Sequence, residues 1–198
     1  MRNFVFIFLI ISFFIASCQS KSGKVGDQYF KNGEYEKAIV AYNDYLEYQP
    51  TDVNSIYNRG RAYEELGEYE KALSSYRAVL EQDPKNINAL LSVGKYHYRQ
   101  GNYADAAFQF EKAIENNSNN ALAYFLLGRA KHNLGKISEA MEAYNAAISV
   151  DKNYGEAYLY RGALKVYSKQ RRSGCSDLTV AQKLGVPDAD SALKKYCN

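Results

Sequence analysis

Residues 57–72 read YNRGRAYEELGEYEKA, and this stretch decides the fold of the chain. Two segments with helical periodicity stand on either side of Gly67. Because a residue with positive φ commonly ends a helix, Gly67 predicts a tight turn between two helices. Gly60 and Ala72 are small, which predicts that the two helices cross closely at these positions.

The same stretch recurs every 34 residues along most of the chain. Four positions of the repeat each keep one kind of residue, glycine at two of them, alanine at the third and an aromatic residue at the fourth. The four sets are Gly26, Gly60, Gly94, Gly128 and Gly162; Gly33, Gly67, Gly101 and Gly135; Ala38, Ala72, Ala106 and Ala140; and Tyr42, Tyr76, Phe110 and Tyr144. A fixed period of this length is typical of a solenoid of stacked supersecondary units. We expect the repeated aromatic residues to fill the space between helices.

The composition of the 198 residues excludes several classes of protein. The chain has 25 Lys and Arg against 22 Asp and Glu, and this formal charge of +3 is too balanced for a nucleic-acid-binding domain. Two His and three Cys nearly exclude a zinc site with several such ligands. We therefore expect no nucleic acid, no metal and no cofactor.

These repeats resemble the tetratricopeptide repeat (TPR) family, since residues 57–63 and 66–72 match its two helices. The resemblance implies an all-α fold, a right-handed superhelical solenoid of antiparallel helix pairs. Four repeats over residues 24–154 are predicted, at about 19–52, 53–86, 87–120 and 121–154. The resemblance also implies that the first helix of each repeat lines a concave groove that holds segments of partner proteins.

The last part of the chain, residues 155–198, predicts a divergent fifth repeat and a C-terminal capping helix. Lys169 replaces the turn glycine, and Gly174 replaces the alanine of the second helix. We predict that second helix over residues 175–184, and a last helix with one apolar stripe over residues 188–197. A solenoid needs such a terminal element to cover its last apolar face.

Residues 1–17 have the pattern of a secretory signal peptide, with a basic start and an apolar run over residues 4–16. A helix of that length reaches about 20 Å, which is short of the roughly 30 Å of a bilayer core. The residues before and at Cys18, IASC, resemble a bacterial lipobox. This resemblance implies cleavage before Cys18 and its acylation, with palmitate among the possible chains.

Residues 18–23 are then a short tether between the membrane and the first helix. Gln19 is not the Asp that retains such lipoproteins in the inner membrane, so the resemblance implies the outer membrane, with the protein facing the periplasm. The alternative is a simple secreted protein with Cys18 near the cleavage point.

Cys175 and Cys197 are the two cysteines that remain beside Cys18, and both lie eleven residues from Val186. In a helical hairpin that turns at Val186, this symmetry places the two side chains near the same open end. An even pair outside the cytoplasm favours oxidation, so we predict a structural disulfide. The alternative is two free, half-buried thiols that act as small apolar residues.

Arg61, Lys95 and Arg129 share the ninth position of successive repeats, so the resemblance implies a ladder of basic side chains in the groove. The other residues predicted to line it are Asn54, Asn58, Asn88, Tyr57, Leu91, Phe125, Tyr98 and His132. Such a surface suits an extended segment that carries a carboxylate or an acidic stretch, together with apolar anchors. The alternative is that the basic side chains only keep the groove solvated.

The carboxylate clamp of cochaperones is not matched, because its Lys and Asn would fall on Gly23 and Asp27. The chain also has no nucleophile elbow, phosphate loop or metal-binding helix motif, so we expect no enzyme. We expect a lipid-anchored scaffold that binds a protein partner at the bacterial cell envelope. The alternative is a pilotin-like or outer-membrane-assembly chaperone for one membrane protein. An enzyme or its carbohydrate-binding accessory is the third class, supported only by the exposed tyrosines.

Overall fold

The computed structural model describes residues 22–197, and these residues form eleven α-helices and no strand. The helices are α1 (Ser22–Lys31), α2 (Tyr35–Leu46), α3 (Val53–Glu65), α4 (Tyr69–Gln82), α5 (Ile87–Arg99), α6 (Tyr103–Asn116), α7 (Ala121–Asn133), α8 (Ile137–Val150), α9 (Gly155–Tyr167), α10 (Arg171–Lys183) and α11 (Ala189–Tyr196). The predicted all-α fold of successive helix pairs is confirmed. The signal peptide, the acylation of Cys18 and the start of the tether lie outside the described residues.

Tight turns at the predicted positions join the two helices of each repeat. Gly67 and Gly135 have φ values of 75° and 73°, which L residues with a side chain rarely adopt. The fifth repeat makes the same turn without glycine, because Lys169 takes a φ of 64°. That turn explains why α10 begins at Arg171 and not at residue 175 as predicted.

The described residues form two compact units, which divide between Ala89 and Leu90. In the first, α1 packs on α2, α2 on α3, and α3 on α4. The core of this unit includes Ala38, Tyr42, Ala62 and Val79, all of them fully buried. The side chain of Asp52 caps α3 by accepting a hydrogen bond from the backbone N–H of Ser55.

In the second unit, each helix from α6 to α10 packs on the helix that follows it in the chain. The helix pairs of the repeats include α7 with α8 and α9 with α10. The buried side chains of its core include Phe110, Tyr144 and Leu178. The ring of Tyr144 lies directly on Gly128, where a Cβ atom would stand 2.5 Å from Cε1 of the tyrosine. Only glycine allows this approach, and it fixes the tyrosine against α7.

The contact between α9 and α10 is closer than the sequence predicts. A Cβ atom on Gly174 would lie 2.7 Å from the carbonyl oxygen of Gly162, so the two backbones touch at these residues. Gly174 therefore replaces the alanine of the other repeats because even one methyl group does not fit.

The close approach brings Asp177 of α10 to two basic side chains of α9. Its carboxylate accepts from Nε and Nη2 of Arg161, at 2.8 and 2.7 Å, and from Nζ of Lys165 at 2.8 Å. Asp177 is buried, with 6% of its surface exposed. This ion-pair network links the last repeat internally.

The C-terminal helix α11 packs on α10 and α9, and its Ala189 is fully buried. Cys175 and Cys197 are joined by a disulfide, with an S–S distance of 1.98 Å and a Cα–Cα distance of 5.8 Å. Among the described residues, no helix combines the length and the apolar character that crossing a bilayer requires.

Candidate functional site

The first helices of the repeats carry the residues predicted to bind a partner. In the first unit, Asn54 and Arg61 of α3 are exposed, while Tyr57 and Asn58 are half-buried. Asn88, at the start of α5, is exposed. Arg61 lies over an aromatic face, with Cζ 4.5 Å from the ring centroid of Phe30. Such a cation–π contact orients the guanidinium and leaves its N–H donors available.

The polar groups next to Arg61 already satisfy one another. The carboxylate of Asp27 accepts from the hydroxyl of Tyr42 at 2.7 Å and from Nδ2 of Asn58 at 3.0 Å. Asn58, predicted to contact a partner, therefore has an internal partner. This hydrogen bond is not visible in the sequence, because Asp27 and Asn58 lie in different helices.

The predicted residues of the second unit divide into core and surface. Leu91 and Phe125 are buried, with 5% and 6% exposed, so they support the surface and do not form it. Lys95 and His132 are exposed, and Tyr98 and Arg129 are half-buried. We call Lys95, Tyr98, Arg129, His132 and Tyr160 the first-helix surface of unit 2.

Arg129 is at the centre of this surface, among three aromatic rings. Its Cζ lies 4.8 Å from the ring centroid of Tyr98, 5.3 Å from that of Tyr160, and 5.9 Å from that of Phe125. No carboxylate in the described part of the chain forms an ion pair with Arg129, whereas Arg161 is paired with Asp177. Aromatic rings therefore lie against the guanidinium of Arg129, and no carboxylate among the described residues balances its charge.

The rings around Arg129 form one continuous cluster. The centroid of Phe125 lies 5.3 Å from that of Tyr154, 5.4 Å from that of Tyr160 and 6.1 Å from that of Tyr144. Burial raises the pKa of Tyr154 to about 12, an effect that the charge of Arg129 opposes. The hydroxyl of Tyr154 thus stays protonated near neutral pH and can donate a hydrogen bond.

Of the predicted ladder residues in the second unit, only Arg129 contacts other residues predicted for the site. Arg129 contacts Tyr98 and Phe125, whereas Lys95 has no ion pair or ring contact among residues 22–197. Tyr98 is held from the next repeat, because Nδ2 of Asn133 donates to its hydroxyl at 2.8 Å. Tyr160 holds the sixth position of its repeat, the position that Asn58 holds in repeat two, and the sequence places it along the same groove.

Metal chemistry finds no support in the described residues. Between residues 22 and 197, no group of three or more His, Cys, Asp or Glu side chains is close enough to hold a metal ion. The first-helix surface of unit 2 presents a cation, aromatic faces and hydroxyl donors. This combination suits an anion carried by an apolar segment.

Comparison with solved structures finds the same fold. The chain is similar to a crystal structure of MamA (24% identity, TM-score 0.75, covering 87% of this chain and 98% of that one). It is also similar to residues 41 to the end of MamA from Desulfovibrio magneticus RS-1 (20% identity, TM-score 0.76, 84% and 96% covered). A third structure is YrrB, described as a TPR protein with an unusual peptide-binding site (20% identity, TM-score 0.73, 89% and 92% covered).

A comparison with curated protein sequences finds no match. Family models match most of the repeat region. A model described as TPR repeat matches residues 26–67 and 60–101, and one described as tetratricopeptide repeat matches residues 93–157. With the 34-residue period, the helix pairs and the turn glycines, these matches show that the chain belongs to the tetratricopeptide repeat family.

Proposed function

We propose that this protein is a non-catalytic interaction scaffold, anchored by acyl chains on Cys18 to the bacterial cell envelope, which binds an extended segment of a partner protein. The observation that carries the proposal is Arg129, half-buried among aromatic rings and without a carboxylate partner among the described residues. The partner segment supplies that carboxylate, and the rings of Tyr98 and Tyr160 contact its apolar side chains.

Physical chemistry favours a carboxylate at this position. The guanidinium presents its N–H donors in a planar fork that matches the two oxygens of a carboxylate. Arg61 of the first unit has a similar arrangement over Phe30. Each of these two arginines, taken by itself, could hold an acidic side chain by charge and by the aromatic packing around it.

The anchoring part of the proposal rests on the sequence before α1. Helix α1 begins at Ser22, so only residues 19–21 separate Cys18 from it. The four residue steps from Cys18 to Ser22 reach at most about 14 Å, which would keep the folded part close to the membrane. We propose the outer membrane, with the protein facing the periplasm. The disulfide of Cys175 and Cys197 suits such an oxidising compartment.

Crosslinking and affinity capture in cells test the binding surface. The parent protein is compared with a variant in which Arg61, Lys95 and Arg129 are all changed to Ala. A control variant also loses three positive charges, at the exposed residues Lys85, Lys152 and Lys183. We expect a partner that the parent and the control capture and the first variant loses. Equal recovery from all three proteins would contradict the proposal.

Cys18→Ala tests the anchor. Cells supplied with labelled palmitate should label the parent protein and not the variant, and the parent alone should sediment with outer membranes. A parent protein that is unlabelled and fully released from membranes would contradict the anchoring. Deletion of the gene separates scaffold from chaperone, because loss of one specific outer-membrane protein would indicate the chaperone alternative.

A further inference from the structure

The aromatic residue on the second helix of each repeat provides an internal comparison. Repeats one, two and four have a tyrosine at this position, Tyr42, Tyr76 and Tyr144, and repeat three has Phe110. In the first unit, both hydroxyls donate to a carboxylate. Tyr42 donates to Oδ1 of Asp27 at 2.7 Å, and Tyr76 donates to Oε2 of Glu64 at 2.7 Å.

Repeat four lacks both of these acceptors. The residue equivalent to Asp27 is Arg129, and the residue equivalent to Glu64 is His132. The side chain of Tyr144 is completely buried, and its hydroxyl oxygen has no hydrogen-bond partner among the described residues. A guanidinium cannot accept a hydrogen bond, and His132 is exposed.

A buried hydroxyl without a partner is costly, and such groups are rare in folded proteins. Burial raises the pKa of Tyr144 far above its usual range, and the positive charge of Arg129 opposes this rise. The hydroxyl of Tyr144 therefore stays protonated and can donate a hydrogen bond. The charge of Arg129 acts on this hydroxyl, and Arg129 is a second donor without a carboxylate partner among the described residues. Both groups would be satisfied by one carboxylate.

We propose that the carboxylate of a bound peptide takes the place in repeat four that the side chains of Asp27 and Glu64 take in the first unit. It accepts one hydrogen bond from the hydroxyl of Tyr144 and others from the guanidinium of Arg129. The hydroxyl is covered in the unbound protein, so entry of the ligand requires side chains at this surface to rearrange. The inference rests on the proposed function and names the group that this surface recognises.

Three N-acetylated tetrapeptides serve as probes: Ala-Leu-Ala-Phe with a free terminal carboxylate, the same peptide as an amide, and Ala-Leu-Glu-Phe as an amide. Binding is followed by NMR through the side-chain Nε–Hε signal of Arg129, assigned by its loss in Arg129→Lys. We expect the amide without Glu not to bind. Comparison of the other two distinguishes a terminal from a side-chain carboxylate. Equal binding of all three peptides would overturn the proposal.

Tyr144→Phe removes the hydroxyl alone and is expected to weaken carboxylate binding about ten-fold, the effect of one hydrogen bond to a charged group. It should not lower the urea midpoint, because the hydroxyl has no acceptor to lose. Tyr42→Phe is the matched control, and it should lower the midpoint since it breaks the bond to Asp27. Unchanged peptide affinity in Tyr144→Phe, or a loss of stability equal to that of the control, would overturn the proposal.

His132→Glu supplies repeat four with the acceptor that repeat two has at Glu64. We expect this variant to be more stable than the parent and to lose carboxylate binding, because its own side chain occupies the site. His132→Gln, which has nearly the same shape as the glutamate variant without the charge, should bind the peptide carboxylate more tightly than that variant does. If Arg129→Ala loses a cellular partner while Tyr144→Phe and His132→Glu both retain it, the scaffold function stands and the Tyr144 site is refuted.

Discussion

The ion-pair network around Asp177 gives the sharpest prediction about stability. Asp177→Asn keeps the size of the side chain but removes the charge that faces Arg161 and Lys165. The side chains of these two cations expose only 15% and 19% of their surface. Without the carboxylate they would repel each other at the contact of α9 with α10.

The magnitude follows from the burial of the three groups. Removal of one partner from a buried ion pair costs about 3–5 kcal/mol, because the remaining charge stays buried and unpaired. The two cations here keep some contact with water, so we expect the lower end, about 3 kcal/mol. With an m value of about 2 kcal/mol/M, the urea midpoint of the second unit would fall by about 1.5 M.

The assay is urea unfolding followed by circular dichroism, on the parent, on Asp177→Asn and on a variant without any of the three charges. That third variant combines Asp177→Leu with Arg161→Met and Lys165→Met, and it should recover most of the lost stability because no buried charge is left. A loss below about 1 kcal/mol in Asp177→Asn would refute the reasoning, since it would place the network in the range of solvated surface pairs.

The other predictions concern the cap, a turn and a surface ion pair. Reduction of Cys175 and Cys197, which close a loop with a sequence separation of 22, should lower the unfolding free energy by about 3 kcal/mol, as measured by urea unfolding with and without reductant. Lys169→Gly should raise the thermal midpoint by relieving about 1 kcal/mol of strain at φ 64°, and an unchanged midpoint would contradict this. Lys131 lowers the pKa of Glu139 through a hydrogen bond, so the stability that this pair contributes is present at neutral pH and is lost as the pH falls through and below the usual carboxyl range. Lys131→Met should therefore lose less stability over that pH range than the parent, and equal losses would contradict the assignment.

The sequence alone determined the repeat architecture of this protein. A helix pair needs a turn with positive φ and small residues where its helices cross, and these local requirements recur every 34 residues at Gly67 and its equivalents. The C-terminal pairing of Cys175 with Cys197 also has a local cause, because both lie at the same distance from a turn.

Tertiary structure decided which polar groups are satisfied and which are not. Arg129 was identified as a basic residue of the groove, but only the packing of helices distant in sequence places Tyr98 and Tyr160 on its faces. The isolated hydroxyl of Tyr144 is invisible in the sequence, since a tyrosine at that position looks like ordinary core.

The ion-pair network of Asp177 also depends on tertiary packing. Arg161 lies sixteen residues before Asp177, and the two meet only because Gly162 and Gly174 let α9 and α10 touch. Periodicity fixes where helices begin and end, because that depends on neighbours along the chain. Charge pairing and burial depend on the depth and angle at which helices pack, and those are properties of the folded protein.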